Sequence, residues 1–135
     1  MAAERTHKTT VLIVDDEPFF RKLLSDLFGK KQCRVVTVAT GEEAVKEAGR
    51  LRPDVIILDF HMPGLDGIAT CKILKADQAT GRIPVIILTA EESVELNQMA
   101  FEAGAQATVL KSMSHDRLVN IVDVFIQTAT SSGSA

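Results

Sequence analysis

Four short, largely apolar runs, each closed by a polar or charged residue, constrain this chain more than any other feature. They are Val11–Val14 before Asp15 and Asp16, Val55–Leu58 before Asp59, Val85–Leu88 before Thr89, and Ala107–Leu110 before Lys111. Runs without polar alternation read as strands buried on both faces, and such strands belong to parallel sheets covered by helices. In an open α/β sheet the ligand site lies beyond the carboxyl ends of the strands. Three carboxylates, a hydroxyl and an ammonium are therefore expected to converge at one edge of the sheet.

Between the runs the hydrophobic period becomes helical. Asp16, Glu17 and Pro18 open a first helix, whose Phe20, Leu23, Leu24, Leu27 and Phe28 recur at helical spacing until Gly29. Arg34–Val38 is β-branched and reads as a further strand. Thr40 with Glu43 has the capping-box form, before a short helix ending near Gly49. Arg52, Pro53 and Asp54 turn the chain into the next strand. Asp66 and Gly67 begin a helix through Lys75, Gly81–Pro84 forms a turn, and Glu91–Ala103 reads as helix before Gly104. Ser114 caps a last helix whose Leu118, Ile121, Val122, Phe125 and Ile126 share one face. Alternating strands and helices with right-handed crossovers predict an α/β fold, a doubly wound parallel sheet of order 2-1-3-4-5. The domain is expected over residues 10–128, with 1–9 a disordered N-terminal segment and 129–135 a flexible tail or linker start.

At 135 residues with 46% apolar content, the chain holds one domain with a core that needs no staples. A net charge of −3 without a basic stripe argues against direct nucleic-acid binding. Cys33 and Cys71 lack metal or redox spacing and read as small buried hydrophobes, and His7 and His115 add no zinc pattern. Met1–Thr10 has no apolar signal segment and no run approaches a membrane span, so a cytoplasmic protein without membrane contact is expected.

The acidic triplet Asp15-Asp16-Glu17, the segment from Pro53 through Asp59 and Met62-Pro63 to Asp66-Gly67, the pair Thr89-Ala90, and Lys111 occur in order and at characteristic spacings. From about Val11 to Gln127 the chain resembles the receiver domain of the two-component response-regulator family. The resemblance implies a flavodoxin-like (βα)5 fold, with Asp59 as phosphoacceptor and Thr89 and Lys111 stabilising the phosphoryl group. It also implies a Mg²⁺ site: Asp16 and Asp59 direct, Asp15 through water, and the His61 backbone carbonyl. Crowded carboxylates independently favour a hard divalent cation. Implied partners are a sensor histidine kinase or phosphotransfer protein as donor, and a downstream protein or output domain. The output surface would be the fourth helix, fifth strand and fifth helix. Val119 and Val124, off the main stripe of the last helix, are candidates for an exposed docking or homodimer patch, against the plain reading of partial burial on a neighbouring helix. The receiver would act as a stoichiometric switch with slow self-catalysed phosphorylation and dephosphorylation, and not as an enzyme.

Two positions depart from the family pattern. Ser112 stands where proline usually follows the lysine, and Thr108 stands where a switching aromatic is usual, so Thr89 and Thr108 become the expected switch pair. His61 and Glu91 are candidates for tuning the lifetime of the phosphorylated state, against the plain readings of a solvated loop histidine and a helix N-terminal acid. A pseudo-receiver, acting as a phosphorylation-independent interaction module, is the alternative. An aspartyl-phosphate hydrolase lacks a second aspartate two residues after Asp59, and a nucleotide-binding protein lacks the glycine-rich phosphate loop.

Overall fold

A computed structural model describes residues 8–134 of the chain, with side-chain environments through residue 127. The elements run β1 (Thr10–Val14), α1 (Pro18–Gly29), β2 (Arg34–Val38), α2 (Gly41–Leu51), β3 (Val55–Asp59), α3 (Gly67–Ala76), β4 (Val85–Thr89), α4 (Val94–Ala103), β5 (Ala107–Leu110) and α5 (His115–Ser134). All strands are parallel, in the order β2-β1-β3-β4-β5. The doubly wound architecture and the strand order are as expected.

Side chains alternate along each strand, so the sheet has two apolar faces and two cores. Leu12, Val14, Ile56, Leu58, Val85 and Ile87 pack with residues of α2, α3 and α4. Val11, Ile13, Ile57, Ile86, Leu88 and Val109 pack with Leu24 and Phe28 of α1 and with Leu118 and Val122 of α5. The three central strands β1, β3 and β4 are buried along their whole length, whereas the edge strand β2 is half open. Each fully buried Leu or Ile contributes roughly 1.5–3 kcal/mol, so the two cores anchor the strand ends firmly.

Local chemistry explains the boundaries near the site. Pro18 sits in the first turn of α1, where its missing N–H costs no helical hydrogen bond. The Thr40 hydroxyl accepts from Glu43 N, the first half of the capping box, while Glu43 Oε1 accepts from Ala39 N, one residue before the cap. The Asp66 carboxylate caps α3 by accepting from Ala69 N at 2.8 Å. Gly67 lets α3 begin against the backbone that follows β3: a Cβ there would lie 2.6 Å from the Asp59 carbonyl oxygen. Gly67 N also donates to the Phe60 carbonyl at 2.8 Å, closing the loop beside Asp59.

Several expectations need correction. The fourth helix begins at Val94, capped by the Ser93 hydroxyl accepting from Leu96 N, and not at Glu91. Glu91 therefore lies in the loop and is not a helix N-terminal acid. α2 runs to Leu51 and closes on Arg52 in the left-handed region, past Gly49. α5 runs from His115 to Ser134. Val119 is buried in the α1–α5 core, while Val124 is exposed. Cys71 is buried, but Cys33 is only half-buried. Of the segment 1–9 expected to be disordered, residues 1–7 lie outside the described residues.

Candidate functional site

The carboxyl ends of β1, β3 and β5 bring together Asp15, Asp16, Asp59 and Lys111. Carboxylate oxygens of the three aspartates lie within 4.8 Å of one another, with Asp15 and Asp59 buried and Asp16 exposed. The ammonium of Lys111 sits among the acids, 3.0 Å from Asp15 Oδ2, 3.0 Å from Glu17 Oε1 and 3.3 Å from Asp59 Oδ1. Only 12% of the Lys111 side chain is exposed, so these contacts are poorly screened by solvent.

Main-chain bonds hold each group in place. Asp15 N donates to the Val38 carbonyl, Phe60 N to Leu88, and Lys111 N to Thr89, so the site residues extend the sheet ladder past the strand ends. Asp15 Oδ1 accepts from Glu17 N at 2.9 Å, and Arg21 donates to the Asp15 carbonyl at 2.8 Å. Asp15 Oδ2 has the Lys111 ammonium at 3.0 Å as its partner and, unlike Oδ1, accepts no main-chain hydrogen bond. The ammonium compensates its charge, and a carboxylate oxygen with this single partner still has a lone pair for a cation.

Electrostatics follow from this crowding. Burial pushes the Asp59 carboxyl up from its ordinary 3.8 to about 6, the charge of Asp15 adds to the rise, and Lys111 partly offsets it. For Lys111, burial works against the charged form. Its contacts with Asp15 and Glu17 and the charges of Asp15 and Asp59 outweigh burial, so its pKa is raised. A cleft of about 590 Å³ opens onto the group, bordered by Asp16, Glu17, Phe20, Asp59, His61 and Lys111.

Thr89 is buried and turned toward its own loop. Its hydroxyl donates to the Glu91 carbonyl at 3.0 Å and faces Glu91 N at 3.3 Å. His61 is exposed, rests edge-on against Phe60 with ring centroids 4.6 Å apart, and borders the cleft. Glu91 borders an adjoining groove together with Phe60, His61, Thr89 and Met99. Thr108 does not join the acidic cluster. Its hydroxyl bonds to Asn97 Oδ1 of α4 at 2.7 Å, and both line a cavity of about 160 Å³ that Thr89 also reaches.

Sequence reasoning did not assign roles to Glu17, Phe20, Arg21 or Asn97. Glu17 was visible as the third acid of its triplet, and Phe20 stands one helical turn after Asp16, on the side facing the cleft. Their contacts with Lys111, more than ninety positions away, depend on the sheet order. Asn97 carried no signal, because its importance comes from facing Thr108 across the α4–β5 connection.

Comparison with known proteins agrees with this architecture. The sequence profile of the response regulator receiver domain matches residues 11–123. The transcriptional regulatory protein ResD of Bacillus subtilis is 32% identical over 127 residues, which cover 94% of this chain and 52% of that protein. A protein-glutamate methylesterase/protein-glutamine glutaminase of Syntrophus aciditrophicus is 45% identical over 106 residues, 75% of this chain and 29% of that protein. The chain thus spans about half or less of these curated relatives. Among solved structures, the receiver domain of a sensor histidine kinase from Pseudomonas aeruginosa superposes with a TM-score of 0.83 at 28% identity, covering 90% of this chain and 99% of that one. It was solved with a magnesium ion coordinated in its active-site cleft. No helix among the described residues is long and apolar enough to cross a membrane.

Proposed function

This chain belongs to the response regulator receiver domain family of two-component signalling, and on that premise we propose that Asp59 accepts a phosphoryl group with Mg²⁺ as cofactor. The observation that carries this reading is the convergence of Asp15, Asp16, Asp59 and Lys111 at the strand ends. The donor is a phosphohistidine on a histidine kinase or phosphotransfer protein. An Asp59 carboxylate oxygen attacks phosphorus, the new O–P bond forms as the N–P bond breaks, and the imidazole departs.

The donor set fits a hard divalent cation: it is made of oxygens, their spacing is short, and buried Asp15 Oδ2 meets no donor besides the Lys111 ammonium. Asp15, Asp16 and Asp59, with the His61 backbone carbonyl, would hold it. When bound, it neutralises charge on the incoming phosphoryl oxygens. Lys111 pairs with one phosphoryl oxygen, giving up a resting contact to do so. Thr89 exchanges its bond to the Glu91 carbonyl for a bond to another. Glu91 is two residues before the Ser93 cap of α4, so this exchange shifts the helix start and couples the site to α4. His61 and Glu91, both bordering the space beside Asp59 and Thr89, tune how quickly water removes the phosphoryl group.

The output surface lies on α4, β5 and α5, where Val94, Phe101 and Val124 are exposed. It serves a downstream protein, an attached output domain or a second copy of the chain, the last through the α5 face bearing Val124. Thr108 moves little volume, so the message reaching that surface travels through the Asn97–Thr108 bond instead of a rotating aromatic ring.

Intact mass after incubation with acetyl phosphate tests the reading. A single phosphoryl adduct that needs Mg²⁺ and maps to Asp59 is expected. No adduct, with Mg²⁺ binding confirmed independently, would instead favour a phosphorylation-independent interaction module. Mg²⁺ binding has its own readout in thermal unfolding. In about tenfold excess over its Kd, Mg²⁺ should stabilise the wild type by about 1.4 kcal/mol, and Asp16→Asn should flatten that rise. A melting temperature indifferent to millimolar Mg²⁺ would remove the metal site from the reading.

A further inference from the structure

Lys111 needs a support that the residue after it does not supply. With Ser112 at that position, what holds the ammonium in line with Asp59 must come from elsewhere in the fold. The structure shows it on α1. The Phe20 ring lies beneath the ammonium, with Nζ 4.3 Å from the ring centroid, and Phe19 meets that ring edge-on at 5.9 Å and 88°. Glu17 Oε1 closes the solvent side at 3.0 Å.

We propose that Phe20 is the positioning residue for Lys111 in phosphoryl transfer, holding the ammonium over Asp59 by a cation–π contact. The inference rests on the phosphoacceptor reading for its reaction, but the contact stands on its own geometry. Three features give Phe20 a positioning role of its own beside the ion pairs of Lys111 with Asp15 and Asp59. First, Lys111 is largely removed from water, where attraction between a cation and a ring face is stronger than at an exposed site. Second, Glu17 is 57% exposed, so its ion pair is weakened by solvent and by the cost of ordering the side chain. Third, the two supports differ in what they do to the charge. A carboxylate partner competes with the phosphoryl oxygen for the ammonium protons. A ring face takes up no N–H donor in a directed bond, so Lys111 stays placed and free to pair with the arriving group. Glu17 thus holds the resting state, while Phe20 supports the lysine before and after transfer.

The test combines a spectroscopic readout with kinetics. Proton resonances of the Lys111 ε-methylene, assigned by their loss in Lys111→Arg, are expected upfield in the wild type because of the Phe20 ring current. They should move to ordinary lysine values in Phe20→Leu and return upfield in Phe20→Trp. In saturating Mg²⁺, Phe20→Leu should slow phosphorylation by acetyl phosphate about 3- to 10-fold, leave the Mg²⁺ affinity unchanged, and be rescued by Phe20→Trp. In a Lys111→Met background, Phe20→Leu should cause no further slowing, because the residue acts through the lysine. Equal slowing in both backgrounds, or unmoved lysine resonances in Phe20→Leu, would overturn the proposal. If the wild type takes up no phosphoryl group at all, the phosphoacceptor reading fails, and the methylene resonances alone decide whether Phe20 positions the ammonium.

Discussion

Asp59→Asn is expected to take up no phosphoryl group and yet to be more stable than the wild type without Mg²⁺ at pH 7.5. Both effects come from one carboxylate. An amide oxygen is no nucleophile toward phosphorus, so the adduct is lost entirely. The stability gain follows from the position of Asp59 in the fold. Its carboxyl is raised from 3.8 to about 6, mainly by burial and then by Asp15, so above pH 6 the folded protein carries a charge that the unfolded chain accommodates better. A tenfold change in proton affinity is about 1.4 kcal/mol, so the gap amounts to on the order of 3 kcal/mol at neutral pH. The attraction to Lys111 is already contained in that raised value, and because Asn mimics a protonated acid only in part the expected net gain is about 1–3 kcal/mol.

The pH dependence has a definite sign. Between about pH 4 and 6 the folded state retains the Asp59 proton while the unfolded state releases it. Folded protein therefore binds more protons in that window, and stability falls as pH rises through it. Asp59→Asn should remove that downward slope. Urea unfolding of both proteins across this range measures it. A variant less stable than the wild type at neutral pH, with the same pH slope, would show that burial of Asp59 does not strain the fold.

The site's acids and lysine were legible in the sequence because parallel strands place whatever ends them at one edge. Asp15, Asp16, Asp59, Thr89 and Lys111 follow apolar runs, and the sheet order makes them neighbours. The start of α4 was misread because Glu91 and Glu92 look like first-turn acids. The hydroxyl of Ser93 caps Leu96 N, while Thr89 and Glu91 form their own turn just before it. Val119 follows the plainer of its two readings, burial against a neighbouring helix. The stripe on α5 is wider than one helical row, because the helix packs against both α1 and the sheet, so a residue at the edge of the row is still covered. Phe20 beneath Lys111 and Asn97 beside Thr108 join residues far apart in sequence, and no local period encodes such pairs.

Lys111→Met is expected to have the opposite effect on stability, losing about 3 kcal/mol without Mg²⁺ at pH 7.5. Methionine keeps most of the side-chain volume and its contact with Phe20, so the cavity contribution is small. What disappears is the cation nearest to both Asp15 and Asp59, two carboxylates that are almost fully buried. Removing one partner from a buried charge cluster typically costs about 3–5 kcal/mol, and the lower end applies here because the site opens onto a cleft. Two further results distinguish this cause from simple loss of packing. Lowering the pH from 8 to 5 should recover much of the loss, since a protonated Asp59 no longer needs the ammonium. Saturating Mg²⁺ should recover it as well, by supplying positive charge to the same acids. Glu17→Gln, which removes only an exposed partner of the lysine, should change stability by less than about 1 kcal/mol. Thermal unfolding of the three proteins, with and without Mg²⁺ at both pH values, makes the comparison. A Lys111→Met loss that neither acid nor Mg²⁺ relieves would mean that the lysine supports this site through packing and not through its charge.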